Sequence, residues 1–149
     1  MDLRLSGKVA LIFGGSKGIG LATADILAAE GAQLALAATR PDSFAALPPA
    51  LAVPSVLRLA ADLTAAGEAE RAVQTVLEHF GRIDILVISA GAAQGGVFWE
   101  LDDASWDAAL ALKLMGTVRA LRAVAPVMRE QGAGRIVVVV GNAGKQPNK

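Results

Sequence analysis

The sequence contains no cysteine, which excludes disulfide bridges and thiolate metal sites and fits a reducing compartment. It contains no tyrosine either, so no phenol is available as a general acid or base. Aromatic residues make up only 4% of the chain, and there is a single histidine, His79, beside Glu78 and without the partner spacing of a metal ligand. It reads as a surface or helix-end histidine. No excess of one charge exists: 14 Lys and Arg balance 14 Asp and Glu, which gives no basis for binding nucleic acid or an anionic membrane. No apolar run reaches the length of a membrane span without glycine or charge. Met1 to Gly7 lacks the apolar core of a secretory signal. These absences predict a cytoplasmic chain.

What the sequence has is hydrophobic residues, 54% of 149, in a pattern that alternates two periodicities. The length corresponds to one domain, residues 1–149. Lys8–Phe13 reads as a short strand that is apolar on both faces. Helical spacing from Leu21 to Ala28 ends at Gly31. Leu34–Ala38, Val56–Ala61, Ile83–Ile88 and Arg135–Val140 read as four further strands. After Thr39–Ser43, Asp42 or Ser43 is expected to cap a short helix through Leu47, before Pro48, Pro49 and Pro54 break the pattern. Thr64 is expected to cap a helix carrying Ala69, Ala72, Val73, Val76, Leu77 and Phe80 on one face. After the glycine-rich loop through Gly96, Asp102 or Asp103 is a candidate cap for a long helix to Gln131, with Gly116 and Pro126 as possible kinks. Alternating strands and helices predict right-handed crossovers and a doubly wound α/β fold, with a parallel sheet in the order 3-2-1-4-5.

The candidate site is Phe13-Gly14-Gly15-Ser16-Lys17-Gly18-Ile19-Gly20, a glycine run between the first strand and the first helix. Gly14 allows a sharp turn, Gly18 allows backbone to approach a pyrophosphate, and Gly20 allows the helix to pack closely. Amides at a helix N-terminus then face phosphate with the positive end of the helix dipole. The alternative is a purely structural turn. In the strand order expected here the run falls at the switch point between strands 1 and 4.

The spacing G-x-x-x-G-x-G resembles the short-chain dehydrogenase/reductase family, whose signature T-G-x-x-x-G-x-G differs at the position of Phe13. Asp62-Leu63-Thr64 is similar to the family's D-[VL]-[TS], and Asp84-Ile85-Leu86-Val87 to its D-x-L-V. Ser89-Ala90-Gly91 is similar to its N-A-G. The resemblance spans Lys8 to Gly144. It implies a nicotinamide dinucleotide site involving Gly14, Ser16, Lys17, Gly18, Ile19, Gly20, Thr39, Arg40, Asp62, Leu63, Ser89, Ala90 and Gly91. In the family the acid at Asp62 reaches the adenine amino group; here it could equally cap the Thr64 segment, and the two roles are compatible.

About twenty residues beyond the glycine run, where an acid would bind the ribose hydroxyls of NAD, the chain has Ala38. Arg40 and Lys17 lie close by in sequence and suit an extra phosphate, so NADP(H) is favoured over NAD(H). The plainer reading is two solvated loop cations. The catalytic set implied by the resemblance, Asn, Ser, Tyr and Lys, is not intact. The stretch Trp106-Asp107 through Gly116 is similar to W-[DE]…V-N-L-x-G and places Lys113 where the asparagine belongs. Gly141 stands where the serine belongs, and the Y-x-x-x-K element would fall beyond Lys149. Lys113 is either an alternative cation in the cleft or a substitution tolerated after loss of chemistry. Asn142 is either a donor to a carbonyl or part of an ordinary turn. Trp99 and Trp106 are expected to be packing anchors near the cleft.

The resemblance implies an NADP(H)-binding oxidoreductase of carbonyl and alcohol groups, inactive as this chain alone. The alternative is a non-catalytic dinucleotide-binding pseudoenzyme or assembly module. It further implies that the chain is truncated relative to the family, with apolar surface exposed on the side of strands 4 and 5. A homo-oligomer, a partner chain or a continuation of the polypeptide is expected there, the homo-oligomer being the default.

Overall fold

A computed structural model describes residues 3–91 and 96–141. Five parallel strands, β1 (Val9–Phe13), β2 (Gln33–Ala38), β3 (Leu57–Ala60), β4 (Ile85–Ile88) and β5 (Arg135–Val138), form one sheet in the order β3-β2-β1-β4-β5. The expected order therefore holds. Each strand ends within two residues of its expected bounds, the differences lying at the frayed ends of short ladders.

The apolar character of β1 on both faces follows from its central place. Val9, Leu11 and Phe13 enter a core with Val73 and Val76 of α2 (Glu68–Phe80) and Val124 of α4 (Thr117–Glu130). Ala10 and Ile12 enter the opposite core with Ala24 and Leu27 of α1 (Gly18–Ala29). A sheet covered on both faces needs near-continuous apolar strands, and the sequence supplies them. Register brings the strand ends level: Phe13 pairs with Ala37 and with Ile88, and Ile88 pairs with Val138. The carboxyl ends of four strands consequently share one crevice.

Three local expectations are corrected. The helix expected after Pro41 is a 3-10 turn, Pro41–Phe44, preceded by Arg40, with no capping side chain. Asp42 instead accepts a hydrogen bond from Arg40 Nε at 3.1 Å. Thr64 does not cap α2, which begins at Glu68 after Gly67. The Asp62 carboxylate closes a local turn first, accepting from the Thr64 amide (2.9 Å) and hydroxyl (2.8 Å). The helical face nonetheless agrees, since Ala69, Ala72, Val73 and Val76 are the buried residues of α2.

The long helix is three consecutive pieces: α3 (Asp103–Leu110), a π-wound turn (Ala111–Gly116) and α4. Asp102 caps α3, accepting from the Ser105 amide at 2.9 Å and its hydroxyl at 2.6 Å. These bonds hold its carboxyl below the usual carboxylate range. The helix continues through Pro126. The irregularity falls at Gly116, where an added Cβ would stand 3.0 Å from Leu63 Cβ. Arg119 also donates to the Leu63 carbonyl at 2.9 Å, so the start of α4 grips the loop after β3.

Asp84 is the one buried charged residue among those described. Its carboxylate accepts from the Val9 amide (3.0 Å) and from Arg82 Nε (2.8 Å) and Nη2 (2.6 Å), with Lys8 Nζ at 3.6 Å. Burial opposes its ionisation, but the Arg82 and Val9 hydrogen bonds and the neighbouring cations prevail and hold its carboxyl below the ordinary range. It thereby ties the starts of β1 and β4 together.

Candidate functional site

β1 runs into the glycine turn, and the turn is held by backbone alone. The amides of Gly14 and Gly15 donate to the Ala37 carbonyl at 2.9 and 3.2 Å. The Phe13 side chain, which has no hydroxyl to offer the turn, lies in the core. Gly14 has φ of 81°, and a Cβ there would stand 2.6 Å from the Ala90 amide nitrogen. A Cβ on Gly20 would overlap the Gly14 carbonyl oxygen. Gly20 thus seats α1 on the turn itself, not on the body of the strand. Gly18 differs from both. Its φ is 55°, but nothing lies within 4 Å of where a Cβ would be. Its missing side chain leaves space open.

α1 starts at Gly18 with Lys17 in the capping position, and no side chain caps it. No acidic residue lies in its first turn. The leading amides of a helix require acceptors, and none comes from a capping side chain here. They open on a cleft of about 930 Å³ at the carboxyl edge of the sheet. That volume lies in the range of ligand pockets, about 300–1,000 Å³.

Gly14, Ser16, Lys17, Gly18 and Ile19 form one wall of the cleft. Thr39 and Arg40 follow β2 at one end, joined by Ser43. Leu63 lies in the lining, whereas Asp62 beside it does not and is engaged with Thr64. Gly20 also stands outside the lining, buried beneath the turn. Ser89, Ala90 and Gly91 lie at the end of β4, and the Ser89 amide donates to the Phe13 carbonyl at 2.8 Å. Across the cleft, Leu112 and Lys113 reach it from the π-wound turn, and Thr117 from the start of α4. The Thr117 hydroxyl donates to the Lys113 carbonyl at 2.8 Å, tying the helix back onto that turn. Gly141 lines the cleft after β5, and Asn142 lies outside the described residues.

Sequence reasoning missed Ser43, Leu112 and Thr117 as lining residues. Ser43 had a signal, since it shares a turn with Arg40. Leu112 and Thr117 depend on the winding of the long helix, which no local pattern encodes.

Among the described residues the lining carries three cations, Lys17, Arg40 and Lys113, and no carboxylate. Arg40 donates through Nε to Asp42 at 3.1 Å, an exposed ion pair. The arrangement is one for an elongated anion: phosphate at the α1 terminus, flanked by cationic ends.

The tryptophans are placed otherwise than expected. Trp99 is 82% exposed, and Trp106 is 41% exposed, with Phe98 edge-to-face at 5.7 Å. Neither lines the cleft among the described residues. His79 lies in the last turn of α2 against Phe80, and no metal-ligating group of three or more side chains occurs among the described residues. No helix of the described residues is long and apolar enough to cross a membrane. On β5, Ile136 and Val137 are exposed, as are Val139 and Val140 beyond it. This is the apolar surface expected beside strands 4 and 5.

The short chain dehydrogenase family model matches residues 8–149. D-threitol dehydrogenase of Mycolicibacterium smegmatis is 39% identical over 144 residues, covering 95% of this chain and 55% of the relative. An uncharacterised NAD-dependent oxidoreductase of Mycobacterium tuberculosis is 36% identical over 154 residues, covering 93% and 56%. The crystal structure of gox2181 superposes with a TM-score of 0.92 at 32% identity, covering 99% of this chain and 59% of that one. The chain therefore spans little more than half the length of the relatives it matches.

Proposed function

The chain belongs to the short-chain dehydrogenase family, and from that premise we propose that it is the dinucleotide-binding portion of an NADP(H)-linked oxidoreductase. The observation that carries the proposal is the uncapped N-terminus of α1 opening on a cleft with three cations and no carboxylate. A nicotinamide dinucleotide fits this donor set. Gly18 and Ile19 would present amides to the pyrophosphate, and Lys17 would add charge. Arg40, ion-paired with Asp42 at 3.1 Å through Nε, would meet the phosphate on the adenosine ribose in place of an acid at Ala38, and Thr39 and Ser43 would contribute hydroxyls. Leu63 would border the adenine, whereas Asp62 lies outside the lining and closes the turn with Thr64. Ser89, Ala90 and Gly91 would border the nicotinamide half. A bound reduced nicotinamide supplies hydride to a substrate carbonyl carbon.

In this reading the chain's own residues hold and orient the cofactor, and none of the 149 is the proton-donating phenol that the family resemblance implies. The 149 residues contain no tyrosine, Gly141 has no side chain to orient a carbonyl, and Lys113 replaces an amide by a cation. Gly141 and Lys113 favour the alternative reading, a non-catalytic dinucleotide-binding pseudoenzyme or assembly module. The exposed apolar residues of β5 fit cover by a second copy, a partner chain or a continuation of the polypeptide on that side.

Calorimetric titration tests the reading. Micromolar binding of NADPH, weaker binding of NADH and no oxidation of NADPH in the presence of carbonyl compounds are expected. Failure of both dinucleotides to bind would reduce the glycine turn to a structural element. Preferential binding of NADH would overturn the NADP(H) assignment alone.

A further inference from the structure

We propose that Lys113 makes the site discriminate between the redox states of the cofactor, favouring the reduced form. The inference rests on the dinucleotide reading above and concerns a residue that this reading leaves without a task. The switch-point geometry fixes which end of a dinucleotide lies where. Adenosine belongs at the end of β2, beside Arg40, and pyrophosphate at the start of α1. The nicotinamide half must then extend over the ends of β4 and β5. On that side the lining comes from Ser89 to Gly91, Val138 to Gly141 and, across from them, Leu112, Lys113 and Thr117. Among the described residues Lys113 is the one charged residue there. It has no carboxylate partner within ion-pair distance among the described residues. Its backbone is fixed by the Thr117 hydroxyl and by the seating of Gly116 on Leu63, so the cation projects from a held turn.

The two redox forms differ in charge at one place. Oxidised nicotinamide is a cationic ring and reduced nicotinamide is neutral. A nearby ammonium repels the first and is indifferent to the second. Lys17 and Arg40 face phosphates that the two forms share, so their contributions cancel in the comparison. Because Lys113 is exposed, solvent screens the repulsion, and the expected discrimination is about three- to tenfold.

The test measures dissociation constants of NADP⁺ and NADPH for the 149-residue chain and for Lys113→Met and Lys113→Arg. The expected result is that Lys113→Met lowers the NADP⁺-to-NADPH ratio by about three- to tenfold, chiefly through tighter NADP⁺ binding. Lys113→Arg keeps the ratio, and NAD⁺ with NADH shows the same shift. The wild-type ratio declines as salt is raised. An unchanged ratio in Lys113→Met, with both forms still bound, overturns this inference and leaves the dinucleotide site standing. Absence of binding by either form to the wild-type chain overturns both.

Discussion

Gly18 and Gly20 stand two residues apart in one turn, and alanine at each should produce opposite phenotypes. At Gly20 a methyl group would overlap the Gly14 carbonyl oxygen and approach its carbon at 2.9 Å, both backbone atoms that cannot rotate away. The turn must shift, and Gly20→Ala should lose about 2–4 kcal/mol of stability, the range of an overpacked core or more. For a chain of this size that lowers the thermal midpoint by roughly 5–15 °C. At Gly18 the methyl group meets nothing, and the cost is only that of a φ of 55° for an L-residue, about 1 kcal/mol. The midpoint should fall by roughly 2–4 °C. The same methyl group, however, would stand in the space through which pyrophosphate approaches the α1 amides. NADPH affinity should therefore fall at least about tenfold in Gly18→Ala, because backbone approach is what glycine permits there. Thermal unfolding followed by circular dichroism, with titration of each folded variant, separates the two effects. A Gly18→Ala chain that binds NADPH like the wild type, or a Gly20→Ala chain equally stable, would refute the division of labour.

Two further outcomes are expected. Asp84→Asn should cost about 2–3 kcal/mol near pH 7, since the buried carboxylate accepts from Val9 and Arg82 and is approached by Lys8. Its carboxyl is depressed in the folded state, so this stabilisation is complete above the unfolded value of about 3.9 and is lost as pH falls through the lower folded value. Urea midpoints of the two chains should converge in acid, and a gap that persists there would contradict the assignment. Arg40→Ala should weaken NADPH binding about five- to tenfold and leave NADH nearly unchanged; equal loss for both would place Arg40 away from the ribose phosphate.

The strands were legible because burial on both faces leaves a local mark: Val9 to Phe13 and Ile85 to Ile88 are apolar throughout. Their order followed from crossover handedness and not from any residue. The buried face of α2 was legible in the spacing of Ala69, Ala72, Val73 and Val76, but its start was not. Asp62 and Thr64 satisfy one another before the helix begins, and a sequence cannot show which of two local hydrogen-bond patterns wins. The π-wound turn ends at Gly116, which packs close to Leu63, far away in the chain. The exposure of Trp99 likewise depends on what lies beneath it. Within the cleft the glycine turn and the strand ends were readable from punctuation. The face contributed by the long helix was not, except at Lys113, where an unexpected residue type drew attention.

Amide chemical shifts of the isotope-labelled chain during titration with NADPH test the central claim most directly. The account predicts the largest changes at Gly18 and Ile19, the uncapped start of α1, with smaller ones at Ser89 to Gly91 and at Arg40. Saturable binding that leaves Gly18 and Ile19 unmoved and perturbs the exposed residues Phe98 to Trp106 instead would contradict it.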